Sequence, residues 1–570
     1  MIDLNLENYR RNAELLLQGI WYSNLPDMLD MDELIGSVDR LFDEINNQNA
    51  VAYKQESDEF ISDWKNVVSP PYIRSPGAEA ITFFDFKKNH SLREMQVPNL
   101  VFYISFVYNT LLEFESLFSE LYINHDNSRF VENSNSYLVF EDAFLLDSYE
   151  GDEDWVFAGT FSTKNNKINT STALAENKKR LLRAEADYLY SLKMDIESFF
   201  PNLYTHNFEK MAKKLPYSGM SVDFRYFEFL DKFHQRINNN QTKGIPAGVF
   251  SSHVAAELCM LCADEEIRNY IETKNYRISY VRYVDDLTFF SDSKVELATL
   301  YPAVQSILNH YRLRINGNKT ETLHAAFINQ SAYIDELEKE FPILQVAEGA
   351  RSLHTSEMFS LKKYIKDCFA SDRASQVRAL LSLIHRKILS GVLIVSDLSY
   401  ELFCYLLKLV FEDTTLVCHV YQLLDTLLLK TDDKQDMLNA LINKRNKIDE
   451  EYPDTLLQIW HYYVLFHHSD DAEKAQILNS IKAKKYNPLV ITAMVLPGKN
   501  CNRKLFAYIR DTYIEESQTQ HWQQEIMYSK WWLPLFKIFR YDSHNYDHFM
   551  NSSNFPSILK VFSRHGEATT

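Results

Sequence analysis

The sequence predicts an α+β first part, residues 1–335, followed by an all-α second part, residues 336–570. Three observations carry this reading. Up to Asp335, runs rich in β-branched and aromatic residues (SYLVFEDAFLL, DWVFAGTF, ISYVRYV) mix with helix-like stretches. Beyond it strand signals fade, and seven segments from LKKYIKDCFA to NRKLFAYIRDTY set apolar residues at three- and four-residue spacing. Finally, 570 residues are too many for one core, and a 46% hydrophobic content with 37 Phe and 34 Tyr is ample for several.

Five segments of the first part carry chemistry. FKKNHSLREMQVP places Lys87, Lys88 and Arg93 ahead of Pro98. LYSLKMDIESFFPNLYTH is an apolar strand ending in Asp195, with Phe199, Phe200 and Pro201 behind it. In TKGIPAGVFSSHVAAELCM, Gly244, Pro246 and Gly248 form a turn that runs into a helix of small residues. ISYVRYVDDLTFFSD reads as two short strands with Asp285 and Asp286 at the turn between them. LRINGNKTETL puts Lys319 after an Asn-Gly-Asn turn. Adjacent carboxylates repel and are costly to bury unless a cation neutralises them. A hairpin that lifts two acids to a sheet edge is therefore a natural divalent-metal site.

In this order and at these spacings the five segments closely resemble the reverse-transcriptase family of polymerases. They match its basic fingers motif, motif A, motif B, the YxDD box of motif C and the motif D lysine. The resemblance implies a palm-and-fingers fold over residues 75–330 and nucleotidyl transfer with two Mg²⁺ ions about 4 Å apart, Mn²⁺ being an alternative. Hard cations take carboxylate oxygens, so Asp195 and Asp285 are the expected bridging ligands, with Asp286 in support. The Ile196 carbonyl is expected to complete the triphosphate-side ion. Lys87 and Arg93 are expected to hold the phosphates, with Lys88 as the alternative to Lys87. Lys319 is expected to protonate departing pyrophosphate, a role suited to a lysine of lowered pKa. By the same resemblance Phe200 stacks under the sugar and excludes a 2′-hydroxyl, which makes deoxynucleotides the substrate. Gly248 lets the nucleotide approach the backbone closely. Ala247 departs from the pattern, since family members often carry a polar residue there.

The helical second part outruns the small three-helix thumb expected next, and stacked antiparallel pairs of HEAT type account for it. Together with the wording FFPNLYTH, GIPAG and RYVDD, this tail narrows the resemblance to bacterial abortive-infection polymerases of the AbiK type, including prophage-borne relatives. That resemblance implies anti-phage defence and untemplated synthesis of DNA from dNTPs. It also implies priming on a protein hydroxyl, single-stranded product left attached to the protein, and a closed homo-oligomer. Tyr9, Tyr22, Tyr53 and Tyr72 are the candidate primers. Two alternatives stand beside it: a templated RNA-directed DNA polymerase of retron or group II type, and a catalytically inactive scaffold.

Composition sharpens the choice. A net charge of −18, from 60 basic and 78 acidic residues, is unusual for a protein gripping a long duplex, because phosphate contacts dominate such binding. It favours a short or single-stranded product. The start, MIDLNLENYRRNAELLLQG, has acids before its basic pair and only a short apolar stretch, so no signal peptide and no membrane span are expected. The six cysteines are scattered, and only Cys259 and Cys262 lie close together, as reduced thiols of a cytoplasmic protein would.

Overall fold

Two hairpins open the strand content of the molecule. In the first, β1 (Ile81–Phe86) pairs antiparallel with β2 (Leu92–Val97); in the second, β3 (Phe144–Tyr149) pairs with β4 (Asp152–Phe157). The structure is a computed structural model that describes residues 16–41, 78–112, 144–157, 161–162, 167–168, 181–214, 224–324, 350–431, 434–481, 484–497 and 501–542, apart from a few positions within these ranges and with isolated residues outside them.

The acid-bearing segments form a single antiparallel sheet. Its strands are β5 (Tyr190–Asp195), β6 (Ile278–Tyr283), β7 (Asp286–Ser291) and β8 (Glu321–His324), in the order β8–β5–β7–β6. Side chains alternate across a strand, and the period-two pattern sorts them. Leu192, Met194, Leu287 and Phe289 are buried on one face. Two long helices, α1 (Phe250–Thr273) and α2 (Lys294–His310), pack against each other, and α2 also packs on β5 and β7. At roughly 1.5–3 kcal/mol for each fully buried large apolar side chain, this face anchors the sheet. The opposite face carries Lys193, Asp195, Asp286 and Thr288.

The second part is helical throughout its long elements. These are α3 (Thr355–Ala370), α4 (Ala374–Leu389), α5 (Ser399–Glu412), α6 (Val417–Lys430), α7 (Gln435–Glu451), α8 (Leu456–His468), α9 (Asp471–Ser480), α10 (Pro488–Ala493), α11 (Cys501–Ser517) and α12 (Trp532–Tyr541). Each of the seven segments read as amphipathic coincides with a helix. Helix α6 packs on α4, α5 and α8, and α8 passes on to α7 and α10. Trp531 and Trp532 are buried in this core, as their apolar area favours.

The tail does more than stack on itself. The outer edge of β1 is completed by the α7–α8 connection: the Phe84 amide donates to the Asp454 carbonyl at 2.9 Å, and Phe84 bridges Thr455 in parallel. Asn487 Nδ2 donates to the Thr82 carbonyl at 2.8 Å, and Asn99 Nδ2 to the Met527 carbonyl at 2.9 Å. Trp460 Nε1 donates to the Asn24 carbonyl at 2.7 Å. The Phe84 and Thr82 contacts tie the β1–β2 hairpin to the helices, and those of Asn24 and Asn99 tie its flanking segments.

Candidate active site

The register of one strand pair builds the site. In β5 and β7 Asp195 lies opposite Asp286, and Lys193 opposite Thr288. Cross-strand partners share a face, so the motif A and motif C acids meet there. The hairpin turn differs from the expectation that it holds both acids. Val284 and Asp285 make the turn, and Asp286 is the first residue of β7. Val284 sits at φ 58°, the left-handed region, which costs a β-branched residue about 1–3 kcal/mol. The Asp285 carbonyl accepts the Ile196 amide at 3.2 Å, which fastens the turn beside the end of β5.

The electrostatics follow from this crowding. Burial, and then the charges of Asp286 and Asp195, push the Asp285 carboxyl up to about 6. Asp286 is raised as well, by burial and by Asp195. Lys319 Nζ donates to Asp195 Oδ2 at 2.9 Å, and Asn316 Nδ2 reaches Asp195 Oδ1 at 3.3 Å. A cavity of about 300 Å³ is lined by Lys193, Asp195, Tyr283, Asp286 and Lys319 among others. Two carboxylates on one cavity, Asp195 and Asp286, with Asp285 in the adjoining turn, form an oxygen-only donor set suited to hard divalent cations. Among the described residues, one set of ligand-type side chains, His206, Glu209 and Asp231, has its ligand atoms within 4.8 Å of one another. The three aspartates are not drawn together so closely. In that other set His206 Nδ1 and Asp231 Oδ2 already pair at 3.0 Å.

One expectation is reversed. Lys319 was expected to have a lowered pKa, yet its hydrogen bond to Asp195 holds it above the usual lysine value. An ammonium paired with a carboxylate keeps its proton more tightly.

The remaining residues fall in a second neighbourhood. Phe200 is half-buried, with its ring 5.0 Å from His253 and 5.3 Å from Phe199. Its carbonyl accepts the Ile245 amide at 3.0 Å, which joins motif A to the motif B turn. Gly248 lies at φ 83°, and a Cβ there would come within 2.5 Å of the Tyr22 ring. Glycine is therefore demanded first by the protein's own packing. The Tyr22 hydroxyl is 2.7 Å from the carbonyls of both Gln96 and Ala247, so it links β2 to motif B. Burial raises its pKa far above the tyrosine value. A hydroxyl so enclosed is no candidate primer. Tyr9, Tyr53, Tyr72 and Lys88 lie outside the described residues. Lys87 and Arg93 are exposed on the β1–β2 hairpin, Arg93 opposite Asp85, and neither forms a hydrogen bond or ion pair with the three acids.

Sequence reading missed Asn316 and Lys193, and it took Tyr22 for a candidate primer instead of the link between β2 and motif B. Asn316 was visible only as part of a turn signal, and Lys193 as an ordinary strand position. Nothing in the Tyr22 segment foretells its partner 225 residues away. Cys259 and Cys262 are buried free thiols of α1, and burial pushes Cys259 up to about 12. No helix among the described residues is long and apolar enough to cross a membrane.

Comparison with known proteins agrees with this geometry. Residues 160–380 match the family described as reverse transcriptase (RNA-dependent DNA polymerase). The retron Ec83 reverse transcriptase of Escherichia coli is 28% identical over 159 residues, 26% of this chain and 49% of that protein. The retron Se72 reverse transcriptase of Salmonella heidelberg is 29% identical over 135 residues, 23% of this chain and 33% of that protein. The chain thus spans half or less of the length of these curated relatives. Among solved structures, apo telomerase from Candida tropicalis aligns over 85% of this chain and 72% of its own at 12% identity and a TM-score of 0.31, a likeness too loose to carry an argument. Residues 160–380 thus carry a reverse-transcriptase domain, the type of domain found in DNA-polymerising nucleotidyltransferases.

Proposed function

We propose that this chain makes single-stranded DNA from dNTPs without a template, primed on one of its own hydroxyls, as an abortive-infection polymerase of the AbiK type. The observation that carries the polymerase reading is the β5–β7 register, which puts Asp195 opposite Asp286 with Lys319 on the same cavity. In this reading Asp195, Asp285 and the Ile196 carbonyl hold two Mg²⁺ ions (or Mn²⁺), with Asp286 beside them. When bound, such ions activate the attacking hydroxyl and neutralise the triphosphate. In this reading the primer hydroxyl loses its proton to solvent as its oxygen bonds to the α-phosphorus, the bond to pyrophosphate breaks, and Lys319 gives a proton to the departing group. Lys87 and Arg93 hold the phosphates, Phe200 screens out the 2′-hydroxyl, and Gly248 lines the nucleotide's approach.

The acidic balance of −18 supports a product that is not a long duplex. The helical tail in the place of a thumb supports the abortive-infection branch, and in this reading residues 336–570 form HEAT-like repeats behind a polymerase part of residues 1–335. A closed oligomer in the cytoplasm completes it. With Tyr22 enclosed, Tyr9, Tyr53 and Tyr72 are the primer candidates. The retron relatives favour a second reading, a templated RNA-directed DNA polymerase.

Incubation of the purified protein with dNTPs and Mg²⁺, with and without primer–template, separates these readings. Product without template, carried as a nucleotide adduct on one tyrosine by mass spectrometry, is expected. Product only with template selects the retron-like reading. No product under either condition leaves an inactive scaffold.

A further inference from the structure

The residue just before the YxDD box is committed to the turn that carries Asp285. Arg282 lies on β6, its side chain wholly inaccessible to solvent, pointing to the face opposite the aspartates. Its Nε donates to both Asp264 oxygens at 3.0 and 2.9 Å, and its Nη2 lies 2.7 Å from Asp264 Oδ2. Nη2 also reaches Glu257 Oε1 at 3.0 Å, and Nη1 reaches Glu257 Oε2 at 2.8 Å. Glu257 and Asp264 are both on α1, seven residues and two turns apart, so they present one face. The last Nη1 proton goes to the Val284 carbonyl at 3.2 Å. All five donors of the guanidinium are thereby used, and Tyr280 adds its hydroxyl to Asp264.

What Arg282 holds is the strained member of the turn. Among the described non-glycine residues at positive φ (Ser198, Asn240, Asn275, Val284, Arg312, Asp454 and Gln518), Val284 is the single β-branched one. A valine does not rest in that conformation unless its surroundings impose it. The next carbonyl, that of Asp285, accepts the Ile196 amide. The turn is thus fixed at one peptide by Arg282 and at the following one by motif A.

We infer that Arg282 is a positioning residue for Asp285. A buried Glu257–Arg282–Asp264 bridge clamps the Val284 peptide in its left-handed conformation, and the clamp sets the aim of the neighbouring carboxylate. The inference rests on the proposed role of Asp285 as a metal ligand. A lysine at this position supplies charge but lacks the rigid fork that meets two acids and a carbonyl together.

The test is Arg282→Lys, alone and with Val284→Gly, since glycine adopts positive φ without a tether. Arg282→Lys is expected to weaken Mg²⁺ binding by about tenfold in direct titration, as loss of a residue supporting a metal ligand does. It is expected to lower kcat by about 100-fold with the dNTP KM within about threefold. Adding Val284→Gly is expected to recover about tenfold of the lost turnover. Such rescue is not expected from a residue that merely holds the core together. Wild-type Mg²⁺ affinity in folded Arg282→Lys overturns the inference, and so does a loss that Val284→Gly leaves unmoved. If Arg282→Lys does not fold, the charge-free triple variant Glu257→Gln, Asp264→Asn, Arg282→Met replaces it. Weak Mg²⁺ binding in that folded protein supports the clamp, and wild-type binding overturns it. If the wild-type protein makes no product, the polymerase reading falls, while the Mg²⁺ titration still decides the role of Arg282.

Discussion

The two faces of the palm sheet solve one electrostatic problem in opposite ways. Beneath the sheet, Glu257 and Asp264 are buried with a guanidinium of matched geometry between them, and the cation is part of the chain. Above it, Asp195 and Asp286 line a cavity with Asp285 in the adjoining turn, and the nearest cation is Lys319, whose side chain is 62% exposed. A buried carboxylate group with its own arginine is closed chemistry. An acid cluster answered by exposed Lys319, and at longer range by Lys193, is under-neutralised, and burial followed by the charges of Asp286 and Asp195 pushes the Asp285 carboxyl up to about 6. Built-in neutralisation makes a scaffold, whereas deferred neutralisation makes a binding site.

Substitutions on each face break that contrast. The largest effect is expected from Asp195→Asn or Asp285→Asn, which remove an oxygen of the proposed metal site and are expected to lower nucleotide incorporation by about 10³-fold or more. Incorporation of labelled dNTP checks it, and near-normal turnover would place the chemistry elsewhere. Next comes the paired removal of the two cations. Arg282→Met strands two buried carboxylates and is expected to cost about 3–5 kcal/mol. Lys319→Met loses an exposed contact worth about 1 kcal/mol or less. Denaturant melts of both variants measure the gap, and equal costs would mean that the faces do not differ as described.

Asn487→Ala is expected to be milder. It deletes the bonds to the Thr82 carbonyl and to Asp454 Oδ1 and is expected to cost about 1–2 kcal/mol. Because β1–β2 carries Lys87 and Arg93, the loss is expected to appear as a higher dNTP KM at little changed kcat. A KM equal to wild type would detach the tail from nucleotide binding.

The smallest effect concerns pH. Asp285 binds its proton more tightly folded than unfolded, about 6 against about 3.9 for a free aspartate. Its contribution to stability is therefore fully present below the unfolded value and is lost as pH rises through about 6. At pH 7.5 without Mg²⁺, Asp285→Asn is expected to melt a few degrees higher than wild type, and at pH 5 the gain is expected to shrink. Thermal shift at the two pH values reads this directly, and a gain independent of pH would show that the crowding of the acids is not its source.

Much of the site was legible because its parts are local in sequence. Asp195 closes an apolar strand, and Asp285 and Asp286 sit between two others, so strand pairing alone brings them together. The tail helices were legible because amphipathic spacing survives without knowledge of partners. Partnerships across long separations were not legible. The Arg282 side chain read as an ordinary strand position, although its partners Glu257 and Asp264 lie at heptad spacing on the preceding helix. The demand of Tyr22 on Gly248 and the docking of Asp454 on Phe84 leave no periodic trace. The pKa of Lys319 depends on which carboxylate oxygen it meets, and only coordinates give that.

Completion of the β1 edge by the Asp454–Thr455 segment bears on how this protein can be cut and recombined. Expressed without its helices, the hairpin would present a bare row of backbone donors and acceptors, an invitation to pair with a neighbouring molecule. Swapping tails between related chains would therefore succeed only when the hairpin travels with them, so hairpin and helices form a single heritable unit although some 370 residues separate Phe84 from Asp454.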